Sequence, residues 1–160
     1  MESPTDILKT VLSHEVKASA FYSLASEITH NDESRMLFIE LAGMEEGHAK
    51  LVADQVRGTH LSAGFDPDAY IEELEANVET TLRKDTADIL LDGEMRDVLK
   101  MAISMEEAAY EAYEVMAAKA EDEAVKLFCQ AQAEEEKGHK QMLQQLLTSL
   151  DMDDDDRPDL

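Results

Sequence analysis

One cysteine, no tryptophan, three prolines and six glycines in 160 residues put several protein classes out of reach. Cys129 alone cannot build a disulfide framework, a Cys-rich zinc site or a four-cysteine iron centre. Aromatic residues make up only 5%, and no apolar run approaches the roughly 18 residues that a membrane helix needs. Basic residues are scarce as well: 14 Lys and Arg stand against 37 Asp and Glu, a net charge of −23. A phosphate backbone would repel such a chain, and so would an anionic lipid surface, so neither nucleic acid nor a membrane is expected as a partner. The opening residues Met1-Glu2-Ser3-Pro4-Thr5-Asp6 are acidic with no apolar stretch behind them. That is not a signal-peptide pattern, and a cytoplasmic location is expected.

The chain is rich in Ala, Leu, Glu, Met and Lys, the strong helix formers, and its 44% of apolar residues suffices for one sizeable core. An all-α fold follows. Four long segments carry helical periodicity. The first covers about 5–30, with Leu8, Val11, Leu12, Ala18, Tyr22 and Ala25 on its apolar side. Asn31-Asp32 reads as a break and a fresh N-cap, and a second segment runs to about 57, stopped by Gly58. A third covers about 92–120 and a fourth ends near 150. The joins within each pair are a few residues long, so each pair must fold as an antiparallel hairpin. Between the pairs, 58–92 reads as a crossover holding a short extra helix, opened by Asp66 as N-cap and Pro67 at the first helical position. Residues 1–150 are thus expected to form one bundle and 151–160, with Asp153 to Asp156 in a row, an acidic disordered tail.

The two hairpins repeat one another at an offset of 91 residues. Asp6, Leu8 and Lys9 fall on Asp97, Leu99 and Lys100. Ser13, Glu15, Ala18 and Tyr22 fall on Ser104, Glu106, Ala109 and Tyr113. Without a gap, Ala42, Glu45, Gly47 and His48 then meet Ala133, Glu136, Gly138 and His139. The shared residues include the glutamates, histidines and tyrosines, which marks a duplicated hairpin.

Glu45-x-x-His48 and Glu136-x-x-His139 each set a carboxylate and an imidazole on one helix face, and that face is the apolar one. The row Phe38, Leu41, Glu45, His48, Val52 steps by three and four, as does Val125, Phe128, Gln132, Glu136, His139, Leu143. Glu15 interrupts the row Leu8, Val11, Ala18, Tyr22, and Glu106 the row Leu99, Ala102, Ala109, Tyr113. Four carboxylates and two imidazoles therefore point inward at mid-helix. Burial on that scale needs matching cations, and two divalent metal ions would balance four glutamates. One glutamate from each of two helices plus a Glu-x-x-His from each of the other two is the ligand set of dinuclear carboxylate bundles. Such donors suit iron or manganese and also accept zinc.

On these residues the sequence resembles the rubrerythrin branch of the ferritin-like superfamily across about 5–150. The resemblance implies a ferritin-like four-helix bundle with two iron ions per chain, manganese or zinc standing as alternatives. It implies Glu15, Glu45, His48, Glu106, Glu136 and His139 as ligands, Glu45 and Glu136 bridging. Tyr22 and Tyr113 resemble the family's tyrosines that hydrogen-bond metal-binding carboxylates. Two features depart from the family pattern: one cysteine cannot build a rubredoxin module, and Ala109 stands where an additional glutamate is found. A register using Glu107 in place of Glu106 stays open, although the repeat favours Glu106.

The implied activity is that of a diiron oxidoreductase, reducing hydrogen peroxide or dioxygen in oxidative-stress defence with electrons from an external donor. Ferroxidase or iron-handling chemistry on ferrous iron, and a metal-stabilised bundle without catalysis, are the alternatives. A homodimer is expected by the same resemblance. His14 and His60 lie off the apolar rows and are expected to face solvent, while Cys129 reads as a small core residue. Gly47 and Gly138, costly inside helices, suggest close packing or room beside the metals.

Overall fold

The chain enters its first helix through a capping box. Ser3 Oγ accepts from the Asp6 amide at 3.1 Å, the Asp6 carboxylate accepts from the Ser3 amide at 3.2 Å, and Pro4 follows where its missing N–H is not needed. This computed structural model describes residues 2–92 and 94–156, the side chains of 85, 87–92 and 153–156 excepted. Helix α1 (Pro4–Ile28) is followed by α2 (Asp32–Glu45), capped by Asn31, whose side chain accepts from the Ser34 amide at 2.8 Å. Then come α3 (His48–Val56), a 3₁₀ turn (His60–Ser62), α4 (Pro67–Asp92), α5 (Met95–Lys119) and α6 (Glu123–Asp156). No strand occurs among the described residues, and none of their helices is long and apolar enough to cross a membrane.

Two apolar clusters fix the course of the chain. One joins Leu8, Val11 and Leu12 of α1 to Val52 and Val56 of α3, Ile71 of α4, Met116 of α5 and Val125 and Cys129 of α6. The other joins Phe21 and Ala25 of α1 to Phe38 and Leu41 of α2, Leu82 of α4, Val98 and Leu99 of α5 and Leu143 of α6. Helices α1 and α6 therefore run from the first cluster to the second, while α2–α3 and α5 run back. This is the up-down-down-up course of a ferritin-like bundle with one crossover. Helix α4 lies against α1 and carries the chain back between the hairpins.

Three features go beyond or against the sequence reading. The crossover helix is not short: α4 spans 26 residues, about as long as α1. Its apolar stripe Ile71, Leu74, Val78, Leu82 continues past the acidic run 72–75 that hides it in the sequence. The second segment is not one helix. It breaks between Glu45 and His48, where Gly47 takes φ +83°. Finally, α6 runs on to Asp156, six residues into the expected tail, with Arg96 of α5 gripping Asp151 at 2.6 and 2.8 Å. Residues 157–160 of that tail lie outside the described residues.

Candidate metal centre

Between the two apolar clusters lies one polar layer. Glu15 enters it from α1, Glu45 from the last turn of α2, His48 from the start of α3, Glu106 from α5, and Glu136 and His139 from α6. All six are buried, none more than 7% exposed. His48 Nδ1 stands 3.3 Å from an oxygen of Glu15 and 3.3 Å from Glu45 Oε2. His139 Nδ1 stands 2.9 Å from Glu45 Oε1, 3.6 Å from Glu106 and 3.7 Å from Glu136. Glu45 thus presents one oxygen to each imidazole.

The donor atoms sort into two overlapping groups, Glu15, Glu45, His48, Glu136 and Glu45, Glu106, Glu136, His139, each with its atoms within 4.8 Å of one another. Glu45 and Glu136 belong to both. Hydrogen bonds do not satisfy this layer. Glu15 Oε2, both oxygens of Glu45, His48 Nδ1, Glu106 Oε2, Glu136 Oε1 and His139 Nδ1 are buried and make no hydrogen bond. Each orphaned atom of this kind costs about 1–3 kcal/mol unless something else satisfies it. Divalent cations would do so, because every orphan is a lone-pair donor. The residues present therefore fit a pair of metal ions.

Electrostatics in the metal-free layer run the same way. Burial, partly offset by His48 and reinforced by Glu45, pushes the Glu15 carboxyl up to about 7. Burial pushes Glu136 up to about 11, against the opposing pull of His139. Burial also acts on Glu45, but His139 and His48 outweigh it and hold that carboxyl below its ordinary range. Glu15 and Glu45 raise His48 to about 10. Burial depresses His139, yet Glu106, Glu136 and Glu45 lift it to about 12. The layer holds protons where it would otherwise hold unmatched negative charge.

The two tyrosines are placed reciprocally. Tyr22 of α1 donates to Glu106 of α5 at 2.5 Å, and Tyr113 of α5 donates to Glu15 of α1 at 2.7 Å. Burial beside those carboxylates raises both phenols well above their ordinary range, so they stay protonated donors. Phe38 stacks on Tyr22 at 6.1 Å between ring centroids and Phe21 meets it edge-on at 5.6 Å, fixing the ring.

The structure brings together all six side chains expected as ligands, with Tyr22 and Tyr113 beside them, and of the two glutamates left open on α5 it is Glu106 that lies in the layer. Glu106 is buried, whereas Glu107 is exposed beside Lys140 at 3.6 Å. His14 and His60 are half-buried rather than solvent-facing, and His60 Nε2 lies 2.8 Å from the Lys119 carbonyl. Cys129 is fully buried as expected, and burial raises its thiol to about 11. The twinned glycines part company: Gly47 needs its left-handed backbone, while Gly138 sits in unbroken helix with nothing near a would-be side chain. Sequence reasoning missed Glu135, whose carboxylate lies 3.8 Å from His48 Nε2. Only the antiparallel pairing of α3 with α6 brings it there, and no periodicity on its own helix signals it.

A single-crossover helical bundle around a buried carboxylate–imidazole layer defines the ferritin-like class. The Rubrerythrin family model matches residues 6–147, and the chain belongs to that family. No curated protein and no solved structure matched it.

Proposed function

We propose that this chain is a diiron oxidoreductase that reduces hydrogen peroxide, or dioxygen, with electrons from an external donor. The supporting observation is the pair of overlapping donor groups sharing Glu45 and Glu136 inside a closed apolar bundle. Glu15 and His48 would hold one ion, Glu106 and His139 the other, and the shared carboxylates would span both. Bound ferrous ions would supply one electron each, the two that peroxide needs, together with two protons, to become two waters. The protein's own residues set the conditions. Tyr22 and Tyr113 each fix one oxygen of Glu106 and Glu15, and the second oxygen of each, facing His139 and His48, would be available to an ion. The apolar clusters on either side keep bulk water away, which strengthens each charge interaction. The raised carboxyls of Glu15 and Glu136 can store the protons that leave when metal binds and return when it goes.

The test mixes anaerobic ferrous protein with peroxide and, separately, with dioxygen in a stopped-flow instrument. Faster oxidation by peroxide at two irons per chain is expected. Faster oxidation by dioxygen with iron accumulating beyond two per chain would replace this reading by iron handling, and a protein that retains zinc from iron-rich medium would overturn it. Glu45→Ala should lose at least one metal equivalent, since both groups share that carboxylate. Two irons at full occupancy in the variant would refute the ligand assignment.

A further inference from the structure

The offset of 91 that maps His48 onto His139 also maps Met44 onto Glu135 and Leu41 onto Gln132. The two halves of the site are therefore alike in their inward-facing donors and in the tyrosines behind the outer carboxylates, and unlike at these two positions. His48 turns Nδ1 to the cluster and Nε2 toward α6, where Glu135 Oε1 lies at 3.8 Å. The counterpart of Glu135 in the repeat is Met44, a residue without charge, and the ion-pair contacts of His139 run through Nδ1. A carboxylate thus stands near the outer nitrogen of His48, while the repeat has methionine where that carboxylate would recur. Gln132, one helical turn before Glu136 on α6, adds to the difference: its Oε1 is buried without a hydrogen bond, and its counterpart is Leu41.

A metal-ligating histidine is oriented, and made a stronger donor, when its other ring N–H meets a carboxylate; losing that partner costs about 10–100-fold in metal affinity. The Glu135 side chain is 41% exposed, and a shift of about 0.6–1 Å would bring its oxygen from 3.8 Å to hydrogen-bond distance of His48 Nε2. Methionine at the other position offers only a weak acceptor.

We propose that Glu135 is a positioning residue for His48, holding the tautomer that leaves Nδ1 free for the metal, so that the Glu15–His48 half-site is the tighter of two unequal seats. The inference rests on the two-metal reading above, and one titration separates the two. Metal-free full-length protein is titrated with Co(II) against a chelating indicator, following the cobalt visible bands. Two equivalents with two resolved affinities are expected. Glu135→Met, which copies the other half, should weaken the tighter class about 10–100-fold and leave the weaker one unchanged. Glu135→Gln retains an acceptor and should recover most of the loss, and Met44→Glu should tighten the weaker class. Equal affinities in the unaltered protein, an unchanged tighter class in Glu135→Met, or equal weakening of both classes would each overturn the proposal. Absence of any Co(II) binding by the unaltered protein would instead overturn the two-metal reading itself.

Discussion

Filling the site with two divalent ions should expel about three to four protons at pH 7. In the metal-free layer His48 and His139, at about 10 and about 12, are imidazolium, and Glu136, at about 11, is a carboxylic acid. Glu15, at about 7, is half ionised, and Glu45 is already a carboxylate. Ligation needs both imidazoles neutral and the raised carboxyls of Glu15 and Glu136 ionised, which releases about three protons fully and the half held by Glu15. The logarithm of the two-metal association constant should then rise by roughly three to four per pH unit near neutrality. Calorimetric titration in buffers of differing ionisation enthalpy reads the count directly. Release of one proton or none would refute the electrostatic account of the layer. The same groups fix a sign for stability. Carboxyls at Glu15 and Glu136 keep protons that the unfolded chain gives up above about 4.5, and the two histidines keep theirs above 6.5. The native state binds more protons in both cases, so the metal-free protein should lose stability as pH rises from about 5 through 7 and on toward 10. Metal loading should flatten that slope.

Two further outcomes follow from local geometry. Gly138→Ala should stabilise by about 0.5–1 kcal/mol, because its helix is unbroken and nothing lies near the added methyl; Gly47→Ala should destabilise by about 1–2 kcal/mol, because φ +83° is strained for alanine. Denaturant midpoints of the two variants should move in opposite directions, and movement together would refute the assignment of the break to Gly47. Tyr22→Phe leaves Glu106 Oε1 without its donor and should cost about 1–3 kcal/mol, and Tyr113→Phe, which strips Glu15 likewise, should cost about the same. Chemical denaturation of the metal-loaded variants measures both; a wide difference between them would mean that the reciprocal bonds are unequal.

Most of the architecture was legible because the chain states it in periodic form. Leu8, Val11 and Leu12 against Glu15 announce both a core face and its interruption, and the same pattern recurs around Glu106. Asn31, Gly58 and Asp66-Pro67 mark helix ends by local chemistry and lie where the helices end or begin. The length of α4 was not legible: its stripe from Ile71 to Leu82 is four residues wide among glutamates, weaker than the acidic signal around it. The break at Gly47 was hidden for another reason. The positions Phe38, Leu41, Glu45, His48, Val52 and Val56 keep helical spacing straight through it, so the backbone turns while the buried face does not. Only a dihedral angle distinguishes Gly47 from its twin.

The crossed tyrosines were within reach of the sequence once the pairing of helices was known. On one helix, seven residues separate Tyr22 from Glu15, two turns or about 10 Å along the axis, too far for a hydrogen bond. Helices α1 and α5 run antiparallel, so a step up one is a step down the other. The pairing that sets Glu15 beside Tyr113 must then set Tyr22 beside Glu106. A single spacing, written twice by the duplication, produces both bonds and locks both outer carboxylates. That symmetry covers the six inward-facing groups and the two tyrosines but fails around the histidines, where the repeat sets Leu41 opposite Gln132, Met44 opposite Glu135, and a broken α2–α3 opposite a continuous α6. A layer built this way presents two like sets of donor atoms in unlike surroundings, so any difference between its halves in holding cations would come from how each imidazole is supported, not from which atoms face inward.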